Sequence, residues 1–129
     1  MDTDVLLDVA LKRNEFLRAS QDVLRWAESE PGQAAVAWHT LSTIAYLTES
    51  PREFIMQLLE FVEVARTDTE NARFAMRLPM NDLEDALQVA AAMAFDAAFI
   101  VTRNLRDYRK SPIPALSPSD FLSRLGRAR

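Results

Sequence analysis

The chain contains no cysteine, which excludes disulfides and any thiolate metal site. Glycine is nearly missing too, with only Gly32 and Gly126 present. A glycine-rich phosphate loop or dinucleotide fingerprint therefore has nothing to be built from. Lys12 and Lys110 are the only lysines, so positive charge is carried by arginine, whose forked head suits phosphate oxygens. No apolar run approaches the ~20 residues of a membrane span. The start, Met1-Asp2-Thr3-Asp4, lacks the basic region of a signal peptide, and a cytoplasmic protein is the expectation. The net charge of −4 argues against a broad basic nucleic-acid surface. It leaves room for an enzyme that reaches phosphates through bound metal. No repeat or low-complexity segment interrupts the chain.

What is present suits one compact domain over residues 1–129. Of the 129 residues, 49% are hydrophobic, enough for one sizeable core. Helical patterns are expected over 5–12, 14–28, 40–47, 51–59, 69–77, 82–94 and 118–125. Ser50-Pro51-Arg52-Glu53 reads as a capping box with proline in the first turn, and Pro79 stops the helix before it. Short apolar runs at 34–38, 62–65, 98–102 and 113–116 read as strands, the last an edge blunted by Pro112 and Pro114. Short strands alternating with helices point to an α/β fold: three layers, α/β/α, around a short, mostly parallel central sheet. Active sites of such sheets lie beyond the carboxyl ends of the strands.

Acidic stretches fall at that end: Asp2-Thr3-Asp4, Asn81-Asp82-Leu83-Glu84-Asp85, and Thr102-Arg103-Asn104-Leu105-Arg106-Asp107. Asp82 and Asp85 lie one turn apart near a helix start, on nearly one face. Gathered together, these carboxylates have little counter-charge, and a cation is what stabilises such a pocket. Mg²⁺ or Mn²⁺ suits oxygen ligands, and a pair of such ions activates water and stabilises the leaving oxygen of a phosphodiester. Asp2, Asp85 and Asp107 would supply charge, and Asn104 and Thr102 would hold metal-bound water. Asp4, Asp82 and Glu84 would support them. Taken singly, each has a plainer role: Asp82 and Asp85 favour a helix N-terminus, Asp107 caps a turn, and Asp2 and Asp4 are a solvated end. Arg103, Arg106 and Arg109 flank the acids and are the candidates for phosphate contact. The lone His39 reads as a cap or packed polar residue, Trp26 and Trp38 as core, and Arg124, Arg127 and Arg129 as a solvated tail.

These motifs resemble those of the PIN domain, the fold of VapC-type toxin ribonucleases. The opening Asp2-Thr3-Asp4-Val5-Leu6-Leu7-Asp8 is similar to the family's Asp-Thr-Asn-Val-Leu-Leu-Asp. Asp82 through Gln88 resembles its central acidic helix. Ile100-Val101-Thr102-Arg103-Asn104, followed by Asp107-Tyr108, resembles its Ile-Val-Thr-Arg-Asn and Asp-Phe signature. The resemblance implies Mg²⁺- or Mn²⁺-dependent endoribonuclease cleavage, with Asp2, Asp85 and Asp107 as metal-binding acids and Thr102 and Asn104 beside them. It also implies an RNA substrate, a small antitoxin partner and a homodimer.

Two departures stand out. Only Met1 precedes Asp2, where the family has a short apolar central strand; either that strand is very short here or the native chain starts upstream. The helix after the second strand opens His39-Thr40-Leu41-Ser42-Thr43, without the family's glutamate. Both imply a weaker metal site, and they motivate a second reading: a degenerate PIN domain that binds RNA or a partner without catalysis. A third reading takes Asp2-Thr3-Asp4-Val5 as the nucleophile loop of a haloacid-dehalogenase-type phosphatase. The short chain and the lack of a suitably placed lysine count against it.

Overall fold

A computed structural model describes residues 1–128; Arg129 lies outside the described residues, as do the side chains of Arg127 and Ala128. The order is α1 (Thr3–Ala10), α2 (Asn14–Ser29), β1 (Ala34–Val36), α3 (Trp38–Leu47), α4 (Pro51–Leu58), β2 (Val62–Val64), α5 (Thr69–Arg77), α6 (Leu83–Ala94), β3 (Ile100–Val101), a 3-10 turn (Leu105–Tyr108), β4 (Ala115–Leu116) and α7 (Pro118–Ala128). This is the expected small α/β architecture.

The strands pair in parallel as two separate couples, β1 with β2 and β3 with β4. Met1 and Asp2 stitch the couples together. The Met1 amine donates to the Ala35 carbonyl at 2.8 Å, and the Asp2 N–H donates to the Val101 carbonyl at 2.9 Å. Asp2 therefore does not follow a strand, as the sequence suggested; it bonds to the end of β3 and turns at once into α1. β3 is also shorter than expected. The chain leaves α6 through a left-handed Asp96 (φ 61°), and Ala98 and Phe99 lie outside the ladder, which pairs only Ile100 and Val101 with β4 among the described residues.

Side chains alternate across the strands. Ile100 packs with Val89 and Ala90 of α6 and with Ala75 of α5. Val101 packs with Val5, Val23 and Phe121, from α1, α2 and α7. A further cluster joins Leu6, Leu7 and Ala27 to Val36, Val62, Ile44 and Leu58. Helices thus cover both faces, which is why the strands read as continuous apolar runs. The expected capping box at Ser50 does not form, since Ser50 makes no side-chain cap bond. Pro51 alone marks that helix start. A reciprocal box forms instead at Asp68 and Asn71, ahead of α5. No described helix is long and apolar enough to cross a membrane.

Candidate functional site

The site forms where Asp2, the start of α6 and the 3-10 turn meet. Asp2 is the N-cap of α1: its extended ψ of 156° lets the side chain turn back onto the Thr3 N–H, at 2.7 Å to Oδ1. Its other oxygen, Oδ2, accepts from Thr102 Oγ1 at 2.7 Å and from Tyr108 Oη at 3.0 Å. Asp2 is only 5% exposed. A buried carboxylate needs such donors to remain in place.

Tyr108 Oη also lies 3.3 Å from Asp85 Oδ1. One phenol proton is therefore shared between carboxylates that lie far apart in the sequence. Burial raises the Asp85 carboxyl to about 7, helped by the neighbouring charges of Asp82, Asp2 and Asp107, while the Tyr108 hydrogen bond pulls the other way. Burial among these anions also pushes the Tyr108 hydroxyl far above its ordinary value, so it remains a donor. Asp4 accepts from the Arg103 N–H at 3.0 Å through Oδ2, but its Oδ1 is buried without a partner. Burial first, then the Asp2 charge, raises Asp4 to about 6.

The remaining candidates divide by position. Thr102 is fully buried; it donates to Asp2 and accepts from the Asn104 N–H at 3.0 Å, locking the loop after β3. Asp82 is the N-cap of α6, accepting from the Asp85 N–H at 3.1 Å, so its helix-terminus role is realised. Glu84, Asn104 and Asp107 are exposed at the rim. Asp107 reaches the others through its charge on Asp85 rather than by a hydrogen bond. Arg106 and Arg109 are exposed. Arg103 is committed elsewhere: its guanidinium donates to both oxygens of the fully buried Asp8, at 2.8 and 3.0 Å, and sits over the Phe16 ring. Removing one partner of so buried a pair costs roughly 3–5 kcal/mol, which marks Arg103 as a strut of α1.

Tyr108 and Gln88 were not read as site residues from sequence. Tyr108 stood only for the aromatic of a motif, yet a buried tyrosine normally finds a partner for its hydroxyl, and that was the available signal. Gln88 donates to Thr3 Oγ1 at 3.0 Å and to Thr40 Oγ1 at 2.8 Å, and those hydroxyls bond each other at 2.8 Å. This buried triangle ties α1, α3 and α6 directly beneath the acids. A glutamine on an otherwise apolar helix face was the sign of it. His39, at the start of α3, has a buried Nε2 with no partner. Burial lowers its pKa, against the pull of Glu84 and Asp2.

The donors fit a hard divalent cation in chemistry: they are carboxylate and hydroxyl oxygens carrying uncompensated negative charge, with one orphaned carboxylate oxygen on Asp4. Among the described residues, no three acidic or histidine groups are already gathered into a metal-binding cluster. A family model described as PIN domain matches residues 1–106. The chain belongs to the PIN-domain family. PIN domains are in general metal-dependent nucleases, and that membership displaces the phosphatase reading of Asp2-Thr3-Asp4-Val5. No curated protein and no solved structure matches the chain.

Two predictions arise from this geometry. Asp4 and Asp85 bind their protons more tightly folded, at about 6 and about 7, than the ordinary 3.8 of an unfolded chain. Between those values the folded state holds the extra protons, so stability falls as pH rises from about 4 to 7. Thermal melts across that range will show a declining midpoint, and Mg²⁺ or Mn²⁺ added above pH 7 will restore part of it. Second, Tyr108→Phe removes one hydrogen bond while keeping the ring packing. It is expected to cost about 1–2 kcal/mol. It will also raise the Asp85 pKa further, because the lost bond was lowering it; carboxyl NMR titration reads that shift.

Proposed function

We propose that this PIN domain is a Mg²⁺- or Mn²⁺-dependent endoribonuclease that hydrolyses RNA phosphodiesters, the toxin of a toxin–antitoxin pair. The observation that carries the reading is the Asp2–Tyr108–Asp85 bridge: two carboxylates joined by one phenol hydroxyl, with the charge of Asp107 acting on Asp85. Asp2, Asp85 and Asp107 would hold the metal, with Asn104 and Thr102 beside them. The bound ion would supply an activated water and stabilise the leaving oxygen.

The protein's own share is positional. Thr3, Thr102 and Tyr108 hold Asp2 at a fixed angle. With its carboxyl raised to about 7, Asp85 is only part-ionised at neutral pH, and a bound cation would favour the full anion. Arg106 and Arg109, free at the rim, are placed to meet RNA phosphates as forked donors. Trp38, read from sequence as core at the end of a strand, is instead the first residue of α3 and 71% accessible; it lies next to His39 and offers a ring on which an unpaired base can stack. A small antitoxin and a homodimer are the partners expected from the family resemblance.

The test is incubation of purified protein with RNA and Mn²⁺, with and without EDTA. Cleavage that EDTA abolishes supports the reading, and absence of metal-dependent cleavage removes it. A second reading, binding without catalysis, is favoured by one observation: the Asp2 carboxylate is already occupied by three donors. Calorimetry with Mn²⁺ separates the two, because a binding-only domain shows no saturable metal site.

A further inference from the structure

Three polar side chains, one each from α1, α3 and α6, meet in the interior. Gln88 Nε2 donates to Thr3 Oγ1 and to Thr40 Oγ1, and the two hydroxyls bond each other. All three residues are buried. Gln88 is the one polar residue among those that α6 buries; its companions there are Ala86, Val89, Ala90 and Ala91. On α3 the buried residues are Thr40 and Ile44. Apolar side chains of the same shape would fill these positions at little or no cost in stability. Stability alone therefore does not call for the triangle. What it adds is direction. Apolar contacts are non-directional and tolerate small slides and rotations, whereas hydrogen bonds weaken steeply once bent or stretched.

Two corners of the triangle stand next to the acids. Thr3 follows Asp2 directly, and its own N–H donates to Asp2 Oδ1 at 2.7 Å. Gln88 follows Asp85 by three residues on α6, so the two lie near one face and ~4.5 Å apart along the axis. The third corner, Thr40, brings in α3, a helix that carries no carboxylate of its own. A helix with its side chains is ~10–12 Å across, so turning α6 by about 20° would carry an oxygen on its surface by about 2 Å. A functional constellation needs its groups held within ~0.5 Å. The alanine contacts of α6 do little to resist such a turn. The Gln88 amide, engaged by hydroxyls from two other helices, resists it directly.

We propose that the Gln88–Thr3–Thr40 triangle is the positioning device of the metal site, with Gln88 as its key residue. It fixes the rotation of α6 against α1 and so the separation of the Asp2 and Asp85 carboxylates. The assignment rests on the reading of Asp2 and Asp85 as metal ligands. Gln88 donates to neither acid; it acts through Thr3 on one side and along α6 on the other. Thr40 makes α3 the fixed post against which both are set.

The test separates positioning from stability. Gln88→Leu leaves the two threonine hydroxyls bonded to each other and removes both amide bonds. The triple variant Thr3→Val, Thr40→Val, Gln88→Leu replaces the whole network by apolar groups of similar shape. The thermal midpoint is expected to fall by on the order of 5 °C in the single variant and to return close to the parent's in the triple. Calorimetry with Mn²⁺ is expected to show affinity reduced about 10–100-fold in both, the range found when groups that orient metal ligands are removed. The electron paramagnetic resonance lines of bound Mn²⁺ should broaden in both as one ligand arrangement gives way to several. Parent-like Mn²⁺ affinity in the triple variant overturns the proposal, because the triangle would then serve stability alone. Should the triple variant not fold, Gln88→Leu decides, measured where circular dichroism shows it folded: affinity equal to the parent's overturns the proposal. A parent protein with no saturable Mn²⁺ site overturns the metal reading itself, and the positioning role with it.

Discussion

Replacing Asp85 with asparagine is expected to abolish cation-dependent RNA cleavage while leaving the fold as stable as before, or more stable. The loss should be on the order of 10³-fold, equivalent to ~4 kcal/mol of barrier. The reason lies in the setting of this carboxyl. It is raised to about 7 by burial and by the charges of Asp82, Asp2 and Asp107. No described cation pairs with it, so its negative charge is a cost to the empty fold and an asset only when a metal arrives. Asparagine keeps an oxygen acceptor for the Tyr108 hydroxyl and leaves the cap bond from the Asp85 N–H to Asp82 intact. It removes the repulsion. Melting at pH 8 should therefore show an unchanged or raised midpoint, and calorimetry should show Mn²⁺ affinity lost along with activity. A variant that still cleaves RNA in Mn²⁺ would remove Asp85 from the chemistry.

The division between what sequence showed and what it hid follows from the physics of each element. The helices were legible because periodicity, proline punctuation and cap residues are local signals; α5 begins and ends where Thr69 and Pro79 place it. The strands were legible as apolar runs but overestimated in length, because a strand persists only where a neighbour accepts its bonds. Residues 98–102 look alike in sequence, yet only Ile100 and Val101 lie in the ladder to β4. The acids were visible as motifs, while the wiring between them was not. Tyr108 joins Asp2 to Asp85 across separations of 106 and 23 residues, and nothing local encodes that. Arg103 shows the reverse error of inference. Its place beside the acids suggested phosphate contact, but the fully buried Asp8 holds its guanidinium through two hydrogen bonds, from Nε and Nη2. An arginine's partner is decided by which buried carboxylate its guanidinium can reach squarely, and that depends on tertiary packing.

Asp2→Ala should separate from Asp85→Asn by damaging the fold as well as the site. Asp2 is where the backbone bond to Val101 of β3, the α1 cap and the acid crevice coincide. Truncating it removes the cap of α1, worth ~1 kcal/mol. It also leaves the Thr102 and Tyr108 hydroxyls buried without their main acceptor, at ~1–3 kcal/mol each. Those costs are partly recoverable: Thr102 can turn to Asp4 Oδ2, now 3.4 Å away, and Tyr108 to Asp85 Oδ1 at 3.3 Å. A net loss of about 3 kcal/mol is therefore expected, a large share of the ~5–15 kcal/mol that holds a domain together, with the thermal midpoint down by roughly 10 °C. Relief of the Asp4 carboxyl should accompany it, because the Asp2 charge is one of the causes that lift Asp4 to about 6; its titration will move toward the ordinary carboxylate range. Both variants lose cleavage, but only the alanine at position 2 melts early. If Asp2→Ala melted like the parent, Asp2 would not be the anchor of α1 and β3, and the three donors around its carboxylate would be serving only the metal site.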